Sequence, residues 1–135
     1  MNVEKTLFEI GLKQLYQEIG RPYNKYFADG TYEGCFYPIY KVYPFLLRYR
    51  LPSENPEDNW DYGIDCISKH AHEITKEDVK CGDVLVTRFK RELHIALCIG
   101  AGEVIHVCRE RTLEIARIKN LFKEKLIKYY RVNNV

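Results

Sequence analysis

The hydrophobic and polar positions divide the chain into a helical first half and a second half of strands. From Glu4 to Ile19, apolar residues recur every three or four positions above a polar opposite face, which predicts an amphipathic helix that Gly20 ends. Tyr23 to Gly34 is rich in Gly, Asp, Asn and Tyr, a composition typical of a loop. The apolar stretch that follows Cys35 predicts a buried helix, which Pro44 should kink or shorten.

From Asp83 onwards the pattern changes to the period of two that is typical of strands. The predicted strands are Val84 to Phe89, the two arms of a hairpin within His94 to Val107, Leu113 to Ile118, and Leu126 to Val132. Helices first and strands afterwards predict one α+β domain over residues 1–135, with N-terminal helices packed on a mainly antiparallel sheet of about five strands.

Two shorter segments carry weaker signals. Asp61 to Lys80 is polar and weakly patterned, although Thr75 and Asp78 resemble a capping box and predict a short helix from Thr75 to Val79. Asn120 to Glu124 predicts a turn or a short helix.

A histidine stands at each end of the predicted hairpin, in HIALCIGAGEVIHV. Alternation places His94, Ala96 and Cys98 on one face of the first arm, and Val104 and His106 on one face of the second. Two histidines on one face of one hairpin would indicate a catalytic or metal site rather than two unrelated core residues.

Whether these two imidazoles meet depends on the loop of the hairpin. With a three-residue loop, Gly100 to Gly102, Ile99 pairs with Glu103 and the two rings become diagonal neighbours on one face. A two-residue loop, Ala101-Gly102, would send them to opposite faces, because a shift of one residue inverts every side chain. Glycine at the last position of the loop favours three residues.

Composition excludes several classes of function. With 21 basic and 19 acidic residues the net charge is +2, so nothing indicates a nucleic-acid surface. No apolar run reaches bilayer length, and the N-terminus lacks a basic segment followed by an apolar one. We therefore expect a protein that is made and kept in the cytoplasm, unless it leaves by lysis or as part of a particle. Five cysteines at irregular spacings do not predict a disulfide framework.

The histidine pair needs a nucleophile to activate, and cysteine is the natural candidate because no serine stands at a sharp strand-to-helix turn. Cys35 precedes a predicted buried helix, whose N-terminal partial positive charge lowers a thiol pKa. Cys66 is the rival, although the segment after it is short and polar. Cys98 lies in mid-strand and suits a small buried filler, Cys81 lies in a turn, and Cys108 is expected to pack.

Taken together, these features resemble the NlpC/P60 family of papain-like cysteine peptidases. The matching motifs, in chain order, are Ile19-Gly20-Arg21-Pro22-Tyr23, Gly34-Cys35 before an aromatic-rich helix that ends at Leu51-Pro52, Gly82-Asp83-Val84-Leu85-Val86, and HIALCIGAGEVIHV. Their order and spacing cover almost the whole chain. The closing Tyr129-Tyr130-Arg131, after an alternating strand near Ile115, is most similar to the phage tail-associated branch.

The resemblance implies a role for four residues. Cys35 would be the nucleophile, His94 the base and His106 the residue that orients the base, while Tyr23 would help to bind substrate or to form the oxyanion site. The implied substrate is a peptidoglycan stem peptide cut next to D-glutamate, without cofactor or metal, and the tail-associated branch implies phage tail proteins as partners.

Two other functions stay open. The first is a catalytically silent structural or tail-assembly domain of the same fold. Such a domain could tolerate Gly34 where the family usually has Asp, and bulky residues where it has small ones. These bulky residues are Phe36, Tyr37 and Pro38. The third hypothesis is a zinc-binding module with ligands of suitable type at an unfamiliar spacing. Its ligands would be Cys66, His70, His72 and Cys81.

Overall fold

The structure, a computed structural model, describes residues 3–21, 36–44, 65, 67–89, 92–107, 112–121 and 126–133. Within these ranges, helices precede the strands of one antiparallel sheet, which confirms the predicted α+β class. Residues 67–70, directly before the first strand, are also helical. In chain order the elements are α1 (Val3–Gln17), α2 (Tyr37–Val42), β1 (Ala71–Ile74), a 3-10 helix (Lys76–Asp78), β2 (Val84–Phe89), β3 (Glu92–Gly100), β4 (Glu103–Val107), β5 (Leu113–Arg117), α3 (Ile118–Leu121) and β6 (Leu126–Val132). None of the helices described is long and apolar enough to cross a membrane.

Helix α1 carries more apolar residues than it buries. Leu15 is fully buried, and Phe8 packs against the same core. Leu7, Tyr16 and Ile19, which the periodicity also placed on the apolar face, are 38% to 46% exposed. The helix therefore begins where the sequence predicts it, but it ends at Gln17, two residues before the predicted Ile19, and it buries fewer apolar residues than expected.

Helix α2 begins two residues after Cys35 and ends before Pro44. Phe36 is its N-cap, and Pro38 lies in the first turn, where a missing N–H breaks no helical hydrogen bond. Because a proline disfavours the helical backbone of the residue before it, Tyr43 leaves the helix with φ −129° and ψ 65°. The predicted shortening by Pro44 is confirmed.

Side-chain hydrogen bonds fix α2 at both ends. The Tyr37 hydroxyl donates to Glu18 Oε2 over 2.8 Å, and the Tyr43 hydroxyl donates to the carbonyl of Gly82. Between these bonds, α2 packs on α1 on one side and on β3 and β4 on the other. The helix that follows Cys35 is thus held against the two strands that carry the paired histidines.

The described part of the sheet has six strands in the order β1-β6-β2-β3-β4-β5. Strands β2 and β6 have the predicted bounds. Strand β1 was not predicted, because its four residues are exposed or half-buried and so carry no alternating pattern. It pairs with β6 from Ala71↔Val132 to Ile74↔Tyr129 and forms an edge of the sheet.

The loop of the β3–β4 hairpin differs from the prediction. It has two residues, Ala101 and Gly102, enclosed by the pair Gly100↔Glu103. Ala101 and Gly102 both have positive φ, 54° and 71°, as a type I′ turn requires. Ile99 has no partner on β4, so it forms a bulge that shifts the rest of the hairpin by one residue. The predicted loop length was wrong, but the bulge restores the register that the longer loop would have given.

Alternate strand residues supply two apolar clusters on opposite faces of the sheet. Residues of the face that packs on the helices include Val84, Ile95, Leu97, Ile105, Val107, Leu113 and Val132, together with Leu15, Ile39 and Val42 from the helices. Residues buried on the other face are Leu85, Ala96, Cys98, Val104 and Tyr129.

Polar contacts secure the turn before β2. Asp83 is 2% exposed and accepts the N–H of Lys80 over 2.7 Å. It also accepts Nε and Nη2 of Arg131, at 3.0 and 2.8 Å, which ties this turn to β6. The short helix predicted near Thr75 is a 3-10 helix, but the capping box is absent, because the Thr75 hydroxyl donates to the Asp78 carboxylate.

Replacement of Gly11 by alanine should destabilise the fold. An alanine usually stabilises a helix by about 1 kcal/mol relative to glycine. At Gly11, however, the added Cβ would lie 2.4 Å from the carbonyl oxygen of Lys41, so α1 and α2 would have to separate. We expect the free energy of unfolding of Gly11→Ala to fall by about 1–3 kcal/mol in urea titrations. Glu9→Ala, on the exposed side of α1, is the control, and a gain in stability at Gly11 would contradict the close helix contact.

Candidate active site

Four polar side chains lie in a row across one face of the sheet, on four adjacent strands. Thr87 on β2 is directly opposite His94 on β3, and His106 on β4 is directly opposite Glu114 on β5. The β3–β4 register places His94 diagonal to His106. We refer to Thr87, His94, His106 and Glu114 as the polar row.

Hydrogen bonds join three members of the polar row. Nε2 of His94 is 2.9 Å from Nδ1 of His106, and the two rings meet edge to face with their centroids 5.1 Å apart. Nε2 of His106 is 2.8 Å from Oε1 of Glu114. Both ring nitrogens of His106 are therefore engaged, one by an imidazole and one by a carboxylate.

The members of the polar row differ in their exposure to solvent. Thr87 is 2% and His106 is 4% exposed, whereas His94 is half-buried. The side chain of Glu114 is 42% exposed. His106 is thus the enclosed centre of the row, and Glu114 connects it to solvent.

Burial keeps His106 neutral. Desolvation lowers the pKa of His106 below its ordinary value of 6.5, and the hydrogen bond and negative charge of Glu114 offset only part of that effect. A neutral imidazole has one N–H and one lone pair, so at neutral pH His106 donates one hydrogen bond and accepts one. Its contact with Glu114 is then a hydrogen bond to a carboxylate rather than an ion pair.

The predicted meeting of His94 and His106 is confirmed, since the two rings share a face and a hydrogen bond. Cys35 and Tyr23, the other two predicted site residues, lie outside the described residues, and so does the rival Cys66. What the structure describes beside Cys35 is α2, which packs on both histidine-bearing strands.

The two described cysteines have the environments that the sequence predicts. Cys98 shares a face with His94, but it is buried, and burial raises its pKa to about 12. Cys81 lies in an exposed turn, and partial desolvation, followed by the charge of Asp83, raises its pKa as well. Both are free thiols, and neither is activated as a thiolate. Cys108 lies outside the described residues.

No three His, Cys, Asp or Glu side chains among the described residues are arranged to hold a metal ion. His70, His72 and Cys81 therefore do not form the zinc centre considered above, and Cys66 lies outside the described residues. Nδ1 of His72 instead lies 2.6 Å from Oδ1 of Asn133.

Glu114 is a residue of the site that the sequence pattern did not predict. Alternation in LEIAR places Glu114 and Ala116 on one face of β5, but a lone glutamate on a strand ordinarily faces solvent. Only the pairing His106↔Glu114 brings this carboxylate to a histidine, and that pairing depends on the register of β4 with β5. The same-face histidines were the signal that could have prompted a search for an acidic third partner.

The lowered pKa of His106 predicts a loss of stability in mild acid. Below pH 6.5 the unfolded chain binds a proton at this residue that the folded chain does not bind, so the free energy of unfolding falls as pH decreases towards the folded pKa. We expect the decrease between about pH 7.5 and pH 5 to be smaller in His106→Gln than in the unsubstituted protein. His72→Gln, at an exposed position, is the control, and an equal pH dependence in all three proteins would refute the assignment.

Solved structures with a similar fold include three proteins of the NlpC/P60 family. One is an NLP/P60 family protein of Staphylococcus aureus subsp. aureus Mu50, described as similar to lipoprotein, with a TM-score of 0.61 and 16% identity over 98% of this chain and 43% of that chain. An NlpC/P60 family protein of Bacillus cereus ATCC 10987 has a TM-score of 0.57 and 20% identity over 95% of this chain and 40% of that one. The P60 domain of an antigen of M. avium subspecies paratuberculosis has a TM-score of 0.60 and 12% identity over 95% and 96%.

This chain thus spans about two fifths of the length of the first two proteins and 96% of the P60 domain of the third. No protein-family model and no curated protein matches its sequence. At these identities the likeness is one of fold. The chain has the fold of NlpC/P60 family proteins.

Proposed function

We propose that this chain is a cysteine peptidase or amidase that hydrolyses an amide bond with Cys35, His94 and His106. The observation that carries the proposal is the hydrogen bond between His94 and His106 on one face of the sheet. A base that is itself oriented by a third group is the arrangement that activates a thiol or hydroxyl nucleophile. The fold shared with NlpC/P60 proteins supports the same assignment.

The chemistry needs only groups of this chain and water. His94 takes the proton of the Cys35 thiol, and the sulfur attacks the amide carbonyl carbon to form a tetrahedral intermediate. The C–N bond then breaks, the departing amine takes the proton from His94, and an acyl-enzyme thioester is left on Cys35. Water attacks the thioester and gives a proton to His94, which returns it to the sulfur as the carboxylic acid leaves.

The oxyanion of the intermediate requires hydrogen-bond donors. In this proposal the backbone N–H of Cys35 supplies one and Tyr23 the other. Because α2 spans only six residues, we assign the activation of the thiol mainly to His94 rather than to the helix dipole.

The proposed substrate is a peptidoglycan stem peptide, cut next to D-glutamate. This assignment rests on the resemblance of four sequence motifs to the NlpC/P60 family and on the shared fold. An acyl transfer to an acceptor other than water would use the same residues, since only the second attacking group differs.

A catalytically silent domain of the same fold is the second candidate. It is favoured by the bulky residues after Cys35, since Tyr37 and Pro38 are buried parts of α2 rather than the small residues usual in the family. The hydrogen bond of Tyr37 to Glu18 gives that side chain a role in holding the two helices together. The substitution experiment below separates an active enzyme from a silent domain.

An association with phage tail proteins stays a prediction from the C-terminal sequence. In the structure Tyr129 is buried on the sheet face that carries the polar row, and Arg131 binds the buried Asp83. These two residues of the matching tail therefore have roles in the fold. Co-purification of the chain with tail assemblies would test the association directly.

Replacement of Cys35 by alanine should abolish the release of products from purified muropeptides, to below about one thousandth of the unsubstituted rate, because no other group replaces the attacking sulfur. The melting temperature should remain close to that of the unsubstituted protein. Cys81→Ala, at an exposed thiol, is the matched control and should retain full turnover.

Cys66→Ala completes the design, because Cys66 is the rival nucleophile. Turnover that survives in Cys35→Ala and is lost in Cys66→Ala would transfer the role to Cys66. No turnover by the unsubstituted protein on any stem peptide would favour the silent domain.

A further inference from the structure

We propose that Glu114 is a positioning residue of this site, whose carboxylate fixes the protons of His106 and His94 so that Nδ1 of His94 is the base. The inference rests on the proposed function for its catalytic consequence, whereas the proton positions themselves can be measured independently. It is carried by two hydrogen bonds of 2.8 and 2.9 Å that join three side chains in series.

Glu114 determines which nitrogen of His106 carries the proton. A carboxylate can only accept hydrogen bonds, so the 2.8 Å contact between Oε1 of Glu114 and Nε2 of His106 requires the proton to reside on Nε2. Nε2 of His106 is therefore the donor.

The proton position on His106 in turn determines which nitrogen of His94 carries a proton. His106 is 4% exposed and neutral, so a proton on Nε2 leaves Nδ1 with a lone pair. The 2.9 Å contact between Nδ1 of His106 and Nε2 of His94 then needs a donor on the His94 side. Nε2 of His94 is therefore protonated and donates to His106.

The proton on Nε2 of His94 leaves its other ring nitrogen to act as the base. When the neutral form of His94 carries its proton on Nε2, its lone pair is on Nδ1, on the other side of the ring from His106. Nδ1 is then the atom that takes the thiol proton. The imidazolium that forms still donates from Nε2 to His106, and the negative charge of Glu114 at the far end of the series stabilises it.

The reversed series would fit the same distance between the two rings. In it, Nδ1 of His106 donates to Nε2 of His94, and His94 carries its proton on Nδ1, where it would block proton transfer from a thiol. The His94–His106 contact alone does not discriminate between these two arrangements. Glu114 excludes the reversed series, because His106 would then present a lone pair to a carboxylate.

The role of Glu114 can be separated from a role in stability. Its side chain is 42% exposed, so water can reach this end of the polar row when the carboxylate is removed. Water can then accept the hydrogen bond from Nε2 of His106, so the melting temperature should stay close to that of the unsubstituted protein. A loss of function without a loss of stability would therefore indicate positioning.

The experiment compares Glu114→Gln and Glu114→Leu with the unsubstituted protein. Glutamine keeps an acceptor oxygen without the charge, whereas leucine removes the acceptor. Glu73→Gln, an exposed glutamate of β1 on the opposite edge of the described sheet, is the control. The first readout is ¹⁵N NMR of histidine-labelled protein, which distinguishes protonated from unprotonated ring nitrogens, and the second is the kinetics of muropeptide cleavage.

In the unsubstituted protein we expect a proton on Nε2 of both His94 and His106, and none on Nδ1 of His106. Glu114→Leu should lose this single arrangement and lower kcat by about 10- to 100-fold, as is usual when a group that orients a histidine is removed, with little change in KM. Glu114→Gln should keep the arrangement and recover a large part of kcat, and Glu73→Gln should match the unsubstituted protein.

A proton on Nδ1 of His106, or no proton on Nε2 of His94, in the unsubstituted protein would overturn the inference, and so would Glu114→Leu with unchanged proton positions and unchanged kcat. Failure of the proposed function has a different signature. In that case the unsubstituted protein shows the expected tautomers, and Glu114→Leu disturbs them, but no muropeptide is cleaved.

Discussion

The site depends on the register of three neighbouring strands. Glu114 reaches His106, and His106 reaches His94, only because β5, β4 and β3 are paired so that all three side chains lie on one face. A slip of one residue would turn a histidine to the opposite face, among the apolar residues that pack on the helices. The site therefore depends on the bulge at Ile99. With a two-residue turn, this bulge shifts the pairing of β3 with β4 by one residue and so places both histidines on one face.

The two faces of the sheet have different roles, since one packs on the helices and the other carries the polar row. One face buries its apolar side chains against α1 and α2, which positions the helix that follows Cys35. The other face carries the polar row, together with a second apolar cluster that includes Cys98 and Tyr129. Polar side chains are tolerated there because they bind one another, and among the described residues no buried side-chain nitrogen or oxygen lacks a hydrogen-bond partner.

Much of this arrangement could be predicted from the sequence. Period-two alternation predicted β2 and β6 with their observed bounds. The common face of the two histidines was also predicted, although from a loop that is one residue longer than the observed one. The pattern of apolar and polar residues did not predict the features that depend on how strands pair with one another. Strand β1 has no alternation because it is a short exposed edge, and the bulge compensates for a loop of unexpected length. Glu114 was missed for the same reason, since its partner on β4 is set by pairing between strands.

The most direct test of the account is the rate of alkylation of Cys35 as a function of pH, followed by peptide mass spectrometry. If His94 activates Cys35, the rate should remain high at a pH well below about 8.5, the ordinary thiol pKa. The exposed Cys81 in the same sample should react only as pH rises, and His94→Ala should give Cys35 that same profile. A rate at Cys35 that follows an ordinary thiol titration, and does not change in His94→Ala, would contradict the account.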